Sequence, residues 1–482
     1  MKTPLHDAVR DYIEKDMSRF HMPGHKGAGT DEFAALLPWD ITEVEGADSL
    51  YHAEGPLLAL EEQFARLYGT RRTLLCAGGA TLCIQTMLAL ACGTGAAVVM
   101  GRNLHRAAIN AAALLDLTPV WVYPERDAGA WFTGRYSPAA VAAALDGHPE
   151  AKAVYLTSPD YFGVLSDLSG IAEVCRAHGV PLLVDNAHGA HLKFLPERYG
   201  KPHPADCGAA LCCDSLHKTM PAMTGGALLH ICDERYAPDA KRLMSMFGST
   251  SPSYPILLSC ERAAAYAGEG AAEGFERVSR AFDRARLLAL QKGFALPQGA
   301  ADPAKLSLGF AARGMDAAGF GAWLRGFSIE PEYIGGAAGV LMATGFNRAE
   351  DFTRLETALG ALPPSSASAP APPAGAGAVG ARGGLFHAGA LSGGKRRRPR
   401  RRRGNIPLPA RHPHRHARRA HRRRRRGDAE GLRGHGRLCD TAFLKESLAK
   451  NFWFRRGAFL RRPLLPCCKS KRFCRLFSKS RG

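Results

Sequence analysis

Apolar positions along the first 362 residues switch between two periods. Leu5, Val9, Tyr12 and Ile13 recur at helical spacing and predict an amphipathic helix at the start. Leu57, Leu58, Leu60, Phe64 and Leu67 predict another over 56–68. From Thr73 onward, short apolar runs alternate with helical stretches. Strands are expected at 73–76, 97–100, 119–123, 152–156, 181–185, 209–213 and 227–230, and helices at 82–91, 104–115, 138–145 and 168–178. Continuously apolar strands separated by helices predict an α/β class with a mainly parallel sheet flanked by helices on both faces. A long charged helix over 273–292 then leads to strands at 306–310, 329–332 and 340–343 and a last helix at 351–362. The expected organisation is an N-terminal helix and loop segment (1–49), a large α/β domain (50–270), a smaller C-terminal α/β domain (271–362) and a tail (363–482).

Charge redraws the picture beyond residue 362. The net charge of +20 is not evenly spread. Residues 363–482 hold 32 Lys and Arg against 4 Asp and Glu, so the rest of the chain is mildly acidic. Residues 363–380 are Pro, Ala, Ser and Gly apart from one valine, and 395–426 carry arginine runs with scattered His. Neither stretch can bury enough apolar surface to offset chain entropy, so the tail is expected to be disordered. Of thirteen cysteines, nine precede residue 363, most of them in apolar runs, and no spacing predicts a zinc site. There is no apolar signal region at the start and no run of ~18 apolar residues to span a bilayer, so the expected compartment is a reducing cytoplasm.

Candidate chemistry gathers where strands end. Asp214-Ser215-Leu216-His217-Lys218-Thr219 follows a buried strand, at the edge where open α/β sheets place ligands. A lysine there, flanked by a hydroxyl and an imidazole, suits a covalent link to pyridoxal phosphate; an exposed loop lysine is the plain alternative. Such a cofactor needs a phosphate cradle, a partner for its ring nitrogen and a group against its ring face. Ala77-Gly78-Gly79-Ala80-Thr81, between a strand and a helix, offers free N–H groups and a helix dipole to a phosphate, or else a Gly-rich turn with Thr81 as N-cap. Asp185 ends a strand and can hold a pyridine nitrogen protonated, or serve as an N-cap. His105 can lie against a ring or simply open a helix. Burial near other cations would lower the pKa of Lys218 and free its amine.

In this order the stretches resemble the Orn/Lys/Arg decarboxylase family, bacterial fold-type-I pyridoxal phosphate enzymes, in a short form. The resemblance rests on Phe20-His21-Met22-Pro23-Gly24-His25-Lys26-Gly27, Gly79-Ala80-Thr81, Arg102-Asn103-Leu104-His105, Thr157-Ser158-Pro159, Asp185-Asn186-Ala187-His188-Gly189, Ser215-Leu216-His217-Lys218-Thr219 and Thr250-Ser251-Pro252-Ser253-Tyr254. It covers roughly residues 1–362. It implies that Lys218 holds pyridoxal phosphate, Asp185 pairs with the ring nitrogen and His105 stacks on the ring. It also implies that Gly79, Ala80, Thr81, Ser215 and His217 hold the phosphate, and that His188 sits near the 3-hydroxyl. The 249–251 segment with Thr250 resembles the one that reaches a partner subunit's phosphate, which implies a homodimer, or a multiple of dimers, with shared sites. Asn186 stands where many members have Glu, and Asp160 and Phe162 where Thr and Tyr are frequent.

The implied reaction is α-decarboxylation of arginine, lysine or ornithine, giving agmatine, cadaverine or putrescine. Lys218 or His217 would return a proton to Cα, and Asp160, Glu330 and Glu332 are candidates to meet the substrate's distal cation. Another fold-type-I reaction, aminotransfer or carbon–sulfur cleavage, fits the same cofactor residues. The arginine tail offers a rival of a different class, association with nucleic acid through phosphate contacts without sequence choice. We expect residues 363–482 to be out-of-frame translation of GC-rich DNA, because wrong-frame reading of such DNA yields Arg, Pro, Ala, Gly and His. A true basic tail that tethers the protein to nucleic acid or an anionic membrane is the alternative.

Overall fold

The structure is a computed structural model and describes residues 2–125 and 131–364. Beyond Pro364, the expectations made for the tail lie outside the described residues.

Helices α1 (Pro4–Glu14) and α2 (Pro56–Tyr68) precede β1 (Arg72–Cys76). There follow α3 (Gly79–Cys92), β2 (Ala97–Gly101), α4 (Arg106–Leu114), β3 (Thr118–Val122), α5 (Pro138–Gly147), β4 (Val154–Thr157), α6 (Leu168–Ala177) and β5 (Leu182–Asp185). Then come β6 (Leu211–Asp214), the short α7 (Leu216–Thr219) and β7 (Ala227–Ile231). The chain continues through α8 (Ala237–Phe247), α9 (Tyr254–Glu269) and α10 (Ala271–Gln291). It ends in β8 (Lys305–Leu308), α11 (Ala317–Gly326), β9 (Tyr333–Ile334), β10 (Gly339–Met342) and α12 (Ala349–Ala361).

The first seven strands form one sheet in the order β1-β7-β6-β5-β4-β2-β3. Pairings from β3 across to β6 are parallel, and β7 runs antiparallel to both of its neighbours, so the sheet is mixed and mostly parallel. Alternation along each strand sends side chains to opposite faces. Leu183 packs with Met100, Tyr155 and α3, α4 and α8 on one side. Leu182 and Val184 pack with Val154, Leu156 and α5 and α6 on the other. A second sheet, β8-β10-β9, is antiparallel and shares a core with α1, α2, α9, α10 and α12.

All seven strands expected in the first sheet form, with ends displaced by at most two residues. The strand expected at 329–332 does not. Ile329 instead donates its N–H to Leu324 O in the turn closing α11, and Pro331 has no N–H to give a ladder, so pairing begins only at Tyr333. The apolar pattern also assigns nothing to α8, α9 or α11. The buried face of α9 is built largely of Cys260, Ala263, Ala264 and Ala267, whose small side chains give little periodic signal, and α11 carries internal glycines. Among the described residues, no helix is long and apolar enough to cross a membrane.

Candidate active site

The carboxyl ends of β4, β5 and β6 bring the predicted groups to one edge. Asp185, the last residue of β5, is 1 % exposed. Its Oδ1 accepts the Ala187 N–H at 3.0 Å, and its Oδ2 accepts the Tyr155 hydroxyl at 3.3 Å. Among the described residues it has no ion-pair partner. Lys218 projects from α7, one turn beyond β6, and is half-buried. Burial pushes its ammonium below the usual lysine range, with Asp185 and then Glu332 opposing.

Two imidazoles flank this pair. His105 is the N-cap of α4, its Nδ1 accepting the Ala107 N–H at 3.1 Å. Burial lowers its pKa; Asp185 pulls the other way, while Lys218 adds to the lowering. Thus the capping role and the place beside Asp185 and Lys218 hold together. His188 is buried, and among the described residues its Nδ1 has no hydrogen-bond partner. Burial first, then the charges of Lys305 and Lys218, hold its pKa well below the usual histidine value.

The glycine-rich turn opens α3 as expected, but with Gly78 as N-cap; Thr81 lies in the first turn and is exposed. Gly79 has φ +67° and open space where a Cβ would stand, and its own N–H goes to Gly225 O at 2.8 Å. What it would add to a cradle is therefore its backbone shape, while the N–H groups that follow it in the first turn are those a helix start leaves for an anion. His217 Nδ1 lies 3.0 Å from Gly226 O, to which it donates, leaving Nε2 as the atom free to act. Ser215 is buried at the N-cap of α7 without a capping bond from its side chain. Thr250 is exposed on the turn between α8 and α9. Two residues earlier, a Cβ on Gly248 would meet Tyr51 Oη and Leu82 of α3, which sets this turn beside the start of α3.

A cavity of about 440 Å³ opens at Lys218, lined also by Glu330, Glu332, Met342, Asp351 and Arg354. The three acidic candidates differ sharply in their commitments. Asp160 is buried, accepting the Phe162 and Val164 N–H groups and the Thr133 hydroxyl, and burial pushes its carboxyl up to about 6. Glu330 is held in a two-bond ion pair by Arg325, at 2.7 and 2.8 Å. Glu332 accepts only the Tyr161 hydroxyl, at 3.1 Å, among the described residues.

Several side chains at this edge escaped the sequence reading. The Tyr161 ring meets His188 edge-on, with centroids 5.0 Å apart. Lys305 is 3 % exposed and donates to Asp160 O and Tyr161 O at 3.2 and 3.3 Å. Burial takes its pKa down to about 8. Asp302 is buried, and its Oδ1 lies 2.8 Å from Nε2 of His191, the second histidine of the Asn186–His191 stretch. A lysine opening the alternating strand Lys305-Leu306-Ser307-Leu308 was the one signal in the sequence.

Relatives extend this picture. A family model described as Orn/Lys/Arg decarboxylase, major domain, matches residues 3–290. A Bacillus subtilis protein, uncharacterized protein YaaO, is 34% identical over 281 residues, which is 55% of this chain and 57% of that protein. An arginine decarboxylase of Halalkalibacterium halodurans is 32% identical over 271 residues, covering 54% and 55%. The constitutive lysine decarboxylase of Escherichia coli is 26% identical over 290 residues, covering 54% and 40%. The chain thus spans about half the length of the curated relatives it matches. Among solved structures, the Francisella novicida lysine decarboxylase LdcF superposes with a TM-score of 0.61 at 19% identity, covering 74% of this chain and 59% of that one. Serine palmitoyltransferase of Sphingomonas wittichii superposes at 0.52 and 15% identity, covering 74% and 85%. These superpositions place the fold among the fold-type-I enzymes expected from the sequence. With a family match that runs from α1 to the end of α10, this chain belongs to the Orn/Lys/Arg decarboxylase family.

Proposed function

We propose that the chain is a pyridoxal-phosphate-dependent α-decarboxylase of a basic amino acid. One observation carries the reading: a lysine with a depressed pKa lies near a buried carboxylate that has no ion-pair partner among the described residues, and near a neutral imidazole whose Nδ1 has no hydrogen-bond partner among them. The residues fit the cofactor. His188 Nδ1 and the buried hydroxyls of Thr157 and Thr219, all without hydrogen-bond partners among the described residues, are the groups a polar ligand would satisfy, and the open first turn of α3 would receive a phosphate. Lys218 would hold it, Asp185 would pair with its ring nitrogen, His105 would lie against its ring and His188 near its 3-hydroxyl. Ala80, Thr81, Ser215 and His217 would hold its phosphate, with Gly79 shaping the turn. When bound, pyridoxal phosphate supplies the electron sink for the pair released as the Cα–carboxylate bond breaks.

The chain's own groups do the rest. Ala187 and Tyr155 donate to Asp185 and would hold its side chain in place toward the ring nitrogen. Lys218 Nζ, disfavoured as an ammonium, is available as a neutral amine. A proton returned to Cα would come from Lys218 Nζ, or from His217 Nε2 when that ring carries a second proton besides the one on Nδ1. Glu332 meets the distal cation of the substrate, since Glu330 and Asp160 are already committed. Thr250, beside α3 yet exposed, serves a second copy's phosphate in a homodimer. We read the compartment as the cytoplasm, and association with nucleic acid only through a genuine basic tail.

The test is to incubate purified protein and pyridoxal phosphate with arginine, lysine and ornithine separately, measuring CO2 and amine. Release of CO2 with a matching diamine or agmatine is expected. Amine transfer to a keto acid without CO2 would replace this reading with the aminotransferase one.

A further inference from the structure

Behind the site lies a cluster of polar groups for which the proposed reaction has no direct use. Asp214, the last residue of β6, is fully buried. Its Oδ2 is 3.1 Å from His203 Nε2 and 3.0 Å from His230 Nε2, and its Oδ1 accepts Asn186 Nδ2 at 2.6 Å. Both histidines are fully buried as well. Two imidazoles and a carboxylate this close form a metal-ligand set by composition.

The outer nitrogens argue for a hydrogen-bonded network instead. His203 Nδ1 accepts the Ala205 N–H at 3.2 Å, so in the neutral ring the proton sits on Nε2, facing Asp214. A metal at Nε2 would need the opposite tautomer and would set two N–H groups against each other. His230 Nδ1 lies 2.9 Å from the Thr73 hydroxyl, which supplies a donor in the same sense. Burial alone would raise the Asp214 carboxyl, but the two imidazoles prevail and hold it well below the usual carboxylate range. The carboxylate therefore receives three donors, one of which belongs to the residue next to Asp185.

Asn186 connects this network to the site. Its N–H bonds to Cys213 O at 3.0 Å, and its carbonyl closes a turn by accepting the Gly189 N–H at 2.7 Å. The turn is tight: a Cβ on Gly189 would stand 2.1 Å from Asn186 Oδ1. Asp185 precedes Asn186 and His188 lies inside the turn. We propose that Asp214 is a positioning residue, which through Asn186 fixes both Asp185 and His188 toward the cofactor. This rests on the proposed pairing of Asp185 with the pyridoxal ring nitrogen.

The experiment uses the full chain and measures pyridoxal phosphate affinity, the absorption spectrum of the bound cofactor and the thermal midpoint. Asn186→Ala removes the link while leaving His203, Asp214 and His230 bonded, so the fold should persist. It is expected to weaken pyridoxal phosphate binding by about tenfold, the worth of one hydrogen bond to a charged group, and to move the absorption maximum. Asn186→Asp sets two carboxylates together and should bind worse still. Combining it with Asp214→Asn exchanges carboxylate and amide, restores a donor–acceptor pair, and should return affinity to within about threefold of the parent. Parental affinity and spectrum in Asn186→Ala would overturn the proposal, as would an exchange variant no better than Asn186→Asp alone. Zn2+ that raises the midpoint of the parent but not of His203→Ala would also overturn it, in favour of a metal site. Asp185→Asn is the control. If it alters the spectrum and Asn186→Ala does not, the positioning role fails while the Asp185 reading stands; if neither does, both fail.

Discussion

The hydroxyl of Tyr161 donates to Glu332 Oε1 at 3.1 Å, joining the loop after β4 to the segment before β9. Through this bond the ring that touches His188 also aims the uncommitted carboxylate of the cavity. Glu332→Gln is therefore expected to raise KM for a basic amino acid roughly tenfold or more, the equivalent of one lost charged hydrogen bond, with a smaller change in kcat. Glu330→Gln should change KM little, because Arg325 already holds that carboxylate. Steady-state kinetics on both variants decide it, and equal effects would remove Glu332 from substrate recognition.

Lys218→Ala and Asp185→Asn separate holding the cofactor from using it. Lys218→Ala should leave no pyridoxal phosphate attached after borohydride treatment. Asp185→Asn should still bind the cofactor but lose turnover by two or more orders of magnitude, roughly the ~3 kcal/mol expected for one preorganised charge. Peptide mapping after reduction and a turnover assay check each. Label on another lysine, or near-parental turnover, would refute the corresponding role.

The turn at Gly225 and Gly226 joins both halves of the proposed phosphate cup. Gly225 O accepts the Gly79 N–H, and Gly226 O accepts from His217. Gly225 has φ +101°, and a Cβ there would lie 3.2 Å from Ala77 O. Gly225→Ala should cost about 1–3 kcal/mol of stability and weaken pyridoxal phosphate binding. Melting curves with and without the cofactor test this, and an unchanged cofactor-induced shift would count against the turn's role.

Stability should depend on pH through Lys305. Burial lowers its pKa to about 8 against the opposition of Asp302 and Asp160. Between about pH 8 and the unfolded value near 10.4, the unfolded chain holds a proton that the folded one lacks, so stability rises with pH across that window, by roughly 3 kcal/mol in all. The contribution is fully present above the window and lost as pH falls through the folded pKa. Lys305→Met should flatten this rise relative to the parent, measured by chemical denaturation from pH 8 to 10.5. A variant with the parental slope would show that Lys305 is not its source.

Much of this architecture was legible in the residue pattern. Strands β1 to β7 announce themselves because they are short, apolar and punctuated, and Asp185 and Lys218 because they fall just beyond such runs. What pattern could not show is pairing at a distance. Tyr155 reads as one more apolar strand residue until its hydroxyl is found on Asp185. Glu330 and Glu332 are indistinguishable in sequence, and only the reach of Arg325 to one and Tyr161 to the other separates them. Helix α9 hid because a face of alanines packs closely without looking hydrophobic.

The antiparallel strand β7 has a consequence for the order in which the protein is made. Among the described residues β1 pairs only with β7 in its sheet, Cys76 lying opposite Ala227. The strand that leads into the glycine-rich turn of α3 should therefore wait, unpaired, while β2 to β6 emerge from the ribosome. Contacts so distant in sequence form late, because loop closure must come before they are rewarded. A nascent chain arrested before residue 227 should leave Cys76 accessible to thiol reagents and fail to retain pyridoxal phosphate, and one arrested well past Ile231 should protect the one and hold the other. Early protection of Cys76 would show that the edge is held by something other than its final neighbour. On this account, the proposed cofactor would be admitted only after β7 has joined the sheet, and a half-made chain would present no competent site.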